Sequence, residues 1–213
     1  DPPLVAPPAL ADPSRDILET HLSVDLAPQT ASARLVLAPS GSTGATFEVG
    51  DLEILGIHQG DLELLWIDQG ETLDVGVPAS GDPSSLTISY RFQFHGQFDG
   101  ADADGLTLLW PYYCGNLFPC HSQPADGTQF SLALENAGAA AVFADRIAAN
   151  APAYMLAWAI GDYQRLDLGM TSAGTSIGIW HRPGEAANAA AGGTHLRAAF
   201  EWMCAADFGD VPS

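Results

Sequence analysis

Lysine is missing from this sequence. All seven basic residues of the 213-residue chain are arginines, set against 26 Asp and Glu, for a net charge of −19 at neutral pH. Such a surface repels a polyanion, which excludes nucleic-acid binding through a basic patch. It also works against anionic membranes. The acidity supplies solubility and self-repulsion; a salt-adapted source would account for the absent lysines equally well. Long apolar runs are missing too. No stretch approaches the ~18 uncharged apolar residues that a membrane-crossing helix needs. Cysteine is scarce: Cys114, Cys120 and Cys204 are too few for a disulfide scaffold. None of the six histidines is followed by Glu and no two lie four apart. That removes the H-E-x-x-H zinc motif. No phosphate-cradling or dinucleotide glycine pattern sits between a strand and a helix. Charged residues make up 15% of the chain and apolar ones 47%, so wholesale disorder is excluded and a packed core is expected.

What is there is alternation. Gly and Pro, 22 and 15 in number, punctuate the chain at short intervals. Between them lie runs with the two-residue period of strands. They cover residues 17–26, 33–37, 52–55, 62–66, 72–77, 85–94, 128–134, 153–168 (as two strands broken near Gly161) and 176–181. The near repeat Gly50-Asp51-Leu52-Glu53 and Gly60-Asp61-Leu62-Glu63 suits neighbouring strands joined by a Gly turn. One helix is expected over residues 194–208, where Leu196, Ala199, Phe200, Met203 and Cys204 share a face. The alanine-rich residues 186–193 read as a loop or a loose extra turn. The expected fold is mainly β: an antiparallel β-sandwich or saddle-shaped curved sheet with one C-terminal helix. Residues 1–14 read as a proline-rich arm, 15–209 as the β domain and 210–213 as a linker. The prolines at the start, and an Asp1 that looks like a cleavage product, point to export to a periplasmic or extracellular space.

Several patterns invite chemistry. Gly174-Thr175-Ser176-Ile177-Gly178 matches G-x-S-x-G. A nucleophile elbow needs a strand before the serine and a helix after it, and here a strand follows, so a turn is expected. Asp99, Asp102 and Asp104 lie in an acidic loop that resembles a calcium loop. In that frame Gly100 and Pro111 take two of the ligand positions, which leaves at most a weak site. Cys114 and Cys120 would stand ~20 Å apart on an extended strand. They can form a disulfide only if the chain turns through Gly115-Asn116. Trp110, Tyr112 and Tyr113 form an aromatic cluster that either faces a ligand or packs as ordinary core and edge.

Four stretches, in order, resemble the N-terminal domain of the aminopeptidase N family of zinc metallopeptidases, which includes the leukotriene hydrolase group. They are His21-Leu22-Ser23-Val24-Asp25-Leu26 with the following Ala31-Ser32-Ala33-Arg34-Leu35; Leu86-Thr87-Ile88-Ser89-Tyr90; Asn116-Leu117-Phe118-Pro119-Cys120-His121-Ser122-Gln123-Pro124; and residues 153–163. The third is similar to the family's R-x-x-F-P-C-x-D-x-P. The family's arginine falls on Gly115 and its aspartate on Ser122, and the family's substrate-amine anchor falls on Trp110. The family's zinc helix and G-x-M-E-N strand are not among these residues. The resemblance therefore implies a non-catalytic domain, inactive as a peptidase by itself and with no cofactor of its own, the zinc belonging to a catalytic domain elsewhere in the polypeptide. It implies that this catalytic domain is the partner, that peptide is the parent's substrate, and that Trp110, Tyr112 and Tyr113 face the cleft. Nucleic acid and membrane are not expected as partners. The alternative is a stand-alone β-sandwich binding module with a weak calcium loop at Asp99, Asp102 and Asp104.

Overall fold

The computed structural model describes residues 10–96, 98–172 and 174–203. In chain order the strands are β1 (Ile17–Asp25), β2 (Thr30–Leu37), β3 (Ala45–Glu48), β4 (Glu53–Gln59), β5 (Leu62–Glu63), β6 (Trp66–Asp68), β7 (Thr72–Val75) and β8 (Ser84–Arg91). They continue as β9 (Phe94–His95), β10 (Ala101–Asp102), β11 (Leu106–Leu108), β12 (Thr128–Glu135), β13 (Ala141–Phe143), β14 (Arg146–Ala151), β15 (Ala157–Ile160), β16 (Gln164–Met170) and β17 (Ser176–His181). Two helices, α1 (Ala186–Gly193) and α2 (Leu196–Met203), come last. The structure divides into two compact units, Asp1–Ile160 and Gly161–Ser213.

The first unit is built on a seven-stranded sheet of order β14-β12-β1-β2-β8-β4-β5. Its neighbours are antiparallel except β1 and β12, which run parallel. The period-two pattern explains the sheet directly. Thr20, Leu22 and Val24 of β1 turn inward while Glu19, His21 and Ser23 turn outward, as successive Cβ atoms must on a pleated strand. Two three-stranded sheets, β3-β7-β6 and β11-β15-β13, complete the layers. One contiguous apolar cluster joins them, including Leu35 and Ile88 from the large sheet, Phe47 and Leu73 from the second, and Trp158 from the third. Removing a buried aromatic of this kind costs about 3–5 kcal/mol.

The segment 62–66 is not one strand. Leu64 is buried and donates its N–H to Ile57 O at 2.9 Å. Trp66 then opens β6 in a different sheet. Ahead of β1, Arg15 is buried and spends its guanidinium on the carbonyl oxygens of Gly44, Val77 and Pro78 and on Ser84 Oγ, at 3.0–3.4 Å. Burial holds its pKa below the usual arginine value. Asp12 beside it accepts from Ser14 N–H and Oγ at 3.1 and 2.6 Å, and from Ser42 Oγ. Those hydroxyls hold its carboxyl below the ordinary range.

In the second unit β16 and β17 form a hairpin on which α1 rests. Residues 186–193 are therefore a helix where the sequence suggests a loop. Alanine is the best helix former, and Gly193 lets the helix approach Leu168 and Ile179, whose side-chain carbons would stand 3.0–3.1 Å from an added Cβ. The helix expected over residues 194–208 is present as Leu196–Met203; Cys204 and the rest of that expected helix lie outside the described residues. No helix among the described residues is long and apolar enough to cross a membrane.

Candidate functional site

The segment from Leu109 to Ser122 is the most elaborately held loop of the first unit. Leu109 is buried, Trp110, Tyr112 and Tyr113 are exposed, and Cys114, Leu117, Phe118 and Cys120 are buried again. The chain turns through a single 3-10 turn at Cys114–Asn116, with Leu117 and Phe118 both donating N–H to Cys114 O at 2.9 Å. That turn brings the Cα atoms of Cys114 and Cys120 to 6.2 Å, and their sulfurs are bonded. Phe118 packs edge-to-face on Phe130 with ring centres 5.9 Å apart, which anchors the turn to the large sheet.

The loop is joined to β3 by main chain. Glu48 N donates to Cys120 O at 2.9 Å and Cys120 N donates to Glu48 O at 3.1 Å. Ser122 then donates both its backbone N–H and its hydroxyl to Glu48 Oε1, at 3.0 and 2.9 Å. Between these bonds Gly115 meets the turn after β3 backbone to backbone. A Cβ on Gly115 would stand 2.9 Å from Gly50 N and 3.1 Å from Val49 N. An arginine side chain therefore has no room at Gly115. The positions on which the family's Arg and Asp fall are instead served by a close main-chain contact and by the Glu48–Ser122 pair.

His121 is also committed. Its Nε2–H donates to Thr46 O at 2.9 Å, its Nδ1 meets Asp126 Oδ2 at 3.0 Å, and its ring stacks on Phe47 with centres 6.0 Å apart. Beyond Asp126 lies Asp16, whose carboxyl is pushed up first by burial and then by the neighbouring Asp126 charge.

Tyr112 and Tyr113 are brought together on an open cleft of about 390 Å³, lined also by Glu48, Gly50, Glu71, Thr72, Gly115 and Asn116. Tyr112 has φ 75°, in the left-handed region that a bulky residue rarely adopts. Held strain of this kind clusters at ligand-binding sites. Trp110 is not part of that lining. It leans edge-on against Phe98, with ring centres 5.7 Å apart and its backbone N–H on Phe98 O at 3.0 Å. The cleft offers two carboxylates and two phenol rings but no Ser, Cys or His. Carboxylates beside aromatic rings have the chemistry to meet a cationic or amine-bearing group. Sequence reasoning missed Glu48 and Glu71. No local signal marks them, because Glu48 closes the short β3 and reaches the cleft only through pairing with distant residues.

The remaining candidates are dispersed. Asp102 accepts the Asp104 N–H at 2.7 Å, and Asp99 O accepts from Asn116 Nδ2 at 2.7 Å. Among the described residues no group of three or more His, Cys, Asp or Glu is placed to hold a metal ion. Ser176 opens β17 and its Oγ accepts from Arg165 Nη2 at 2.8 Å.

No protein-family profile matches the chain, and no curated protein matches its sequence. Solved structures do match its fold. Aminopeptidase A of Legionella pneumophila, solved in complex with aspartic acid, has a TM-score of 0.77 at 15% identity, covering 92% of this chain and 28% of its own. A mutant M1 zinc metallopeptidase of Deinococcus radiodurans bound to a Tyr-Ser-Ala substrate gives 0.69 at 14%, covering 89% and 54%. Native leukotriene A4 hydrolase of Saccharomyces cerevisiae gives 0.59 at 15%, covering 94% and 36%. The resemblance to aminopeptidases and leukotriene hydrolase therefore holds at the level of fold. This chain spans between about a quarter and just over half of the proteins it matches.

Proposed function

We propose that this chain is a non-catalytic β domain of a zinc metallopeptidase of the aminopeptidase type, packed on the catalytic domain and walling one side of its substrate cleft. The observation that carries the reading is the asymmetry of coverage. The fold matches take in 80% to 95% of this chain but only 28% to 55% of each matched protein. The geometry of the loop supports it as well. Tyr112 and Tyr113 are presented on a loop held by a disulfide and by β3, beside Glu48 and Glu71. A rigid loop with aromatic rims and carboxylates suits the recognition of a peptide's charged end. In this reading the zinc and the water it activates belong to the partner domain. A disulfide of buried cysteines fits an oxidising compartment, which supports export.

The test is association. This chain, mixed with a separately produced portion of the same gene product carrying the zinc helix, forms a one-to-one complex at micromolar concentration in sedimentation velocity. Failure of any complex to form overturns the reading.

A further inference from the structure

We infer that the cleft beside Tyr112 and Tyr113 binds a guanidinium group, the arginine side chain of a peptide. Two carboxylates, Glu48 and Glu71, and the two phenol rings line one cavity of about 390 Å³. Tyr112 and Tyr113 are 61% and 45% exposed and do not pack on the core cluster, so their rings are open to a ligand. Ser122 occupies Oε1 of Glu48 with both of its donors, which leaves Oε2. Glu71 is fixed through its backbone, whose carbonyl accepts from Val49 N–H at 3.0 Å. Its carboxylate has no partner among the described residues.

What the cleft lacks is a cation. The chain has no lysine, and its arginines number seven. Arg91 pairs with Glu53 and Arg165 with Asp167, and Arg15 is buried on carbonyl oxygens and Ser84 Oγ. Among the described residues none forms an ion pair with Glu48 or Glu71. The positive charge that complements them must come from outside, and a net charge of −19 draws cations toward this surface.

Size and lining select the kind of cation. A metal ion requires several converging oxygen, nitrogen or sulfur donors, and no group of three or more His, Cys, Asp or Glu is placed to hold one among the described residues. An ammonium is a compact, strongly hydrated point charge and would fill little of this space. A guanidinium is planar and weakly hydrated; it forks onto a carboxylate and stacks on an aromatic face. Carboxylates and phenol rings on one wall offer both contacts at once. Trp110, on which the family's substrate-amine anchor falls, does not line the cleft. Only the peptide as the source of the guanidinium rests on the domain reading proposed for the chain; the site does not.

The test titrates the 213-residue chain with N-acetylarginine amide, whose single charge is the guanidinium. Binding is followed by NMR of isotope-labelled tyrosine rings, with Tyr112 and Tyr113 assigned from Tyr112→Phe and Tyr113→Phe. The expected result is a saturable shift of both rings. Affinity should fall about tenfold in Glu71→Gln and several-fold in Tyr113→Leu. It should be unchanged in Glu63→Gln, which removes an equal charge from the exposed β5. N-acetyllysine amide should bind more weakly than the arginine probe. No saturable shift in wild type overturns the site, as does unchanged affinity in Glu71→Gln and Tyr113→Leu, both checked for native circular dichroism. A lysine probe that binds as tightly overturns the guanidinium assignment. The domain reading is checked apart from this, by association with the zinc-bearing portion. A complex without ring shifts overturns the site and leaves that reading intact; ring shifts without a complex keep the site and overturn the peptide as its source.

Discussion

Ser122 gives both of its donors, the backbone N–H and the hydroxyl, to the single oxygen Oε1 of Glu48. A charged acceptor taking two bonds from a buried residue is worth more than a neutral one, about 1.5–3 kcal/mol. Glu48→Ala leaves the Ser122 donors buried and unpaired, so a loss of about 2 kcal/mol is expected in urea unfolding. Glu48→Gln keeps an acceptor and loses less. Equal losses for the two would show that charge and geometry at Oε1 are immaterial.

The Cys114–Cys120 bond closes a short loop, for which the chain-entropy account gives about 2 kcal/mol. Cys114→Ser/Cys120→Ser is expected to lower the melting temperature by a few degrees. Tyr112 and Tyr113 directly precede the first cysteine. Acrylamide quenching of tyrosine emission should therefore rise in the double variant. A variant that melts earlier but quenches as wild type does would separate the bond from the cleft.

Tyr90 is fully buried and its hydroxyl has no hydrogen-bond partner. Burial pushes the phenol pKa up. Tyr90→Phe removes an unsatisfied polar atom and keeps the ring. It is expected to leave stability unchanged or raise it by about 1 kcal/mol; a loss beyond that would reveal an acceptor for the hydroxyl.

Two carboxylates give opposite pH signatures. Asp16 is raised, so the folded chain holds that proton more tightly than the unfolded chain. Its contribution is full below the ordinary value of 3.8 and falls as pH rises through that value toward the raised one. Asp12 is lowered. Its contribution is present above 3.8 and is lost as pH falls through the depressed value. Near neutral pH, Asp16→Asn should therefore melt higher than wild type and Asp12→Asn lower. Both differences should shrink in acid. Melts across the acid range check the signs, and a reversal in either variant refutes its assignment.

The central strands of the large sheet are legible in the sequence because they alternate on their own: β8 over its eight residues, β1 from Thr20 onward and β2 from Ala33 onward, whereas no expected run covers β14. The short strands are not. β11 and β13 have three residues each, too few for a period, and they find their place only through pairing with β15. The parallel β1–β12 neighbours are hidden for the same reason. α1 escapes the sequence because its apolar positions are nearly all alanine, which gives no stripe. At the site, Tyr112 and Tyr113 stand out as an aromatic pair. Glu48 reaches the cleft at the end of β3, Glu71 just ahead of β7 and Asn116 from the turn at Cys114–Asn116, and no spacing announces that.

The contact of Gly115 with the turn at Gly50 also constrains how the protein can vary. A side chain at Gly115 would meet only main chain, the peptide at residues 48–50, so it could not be accommodated without displacing that peptide. Re-engineering of the cleft therefore has its room at the rim, at Glu71, Tyr112 and Tyr113, while the seam beneath admits no added side chain.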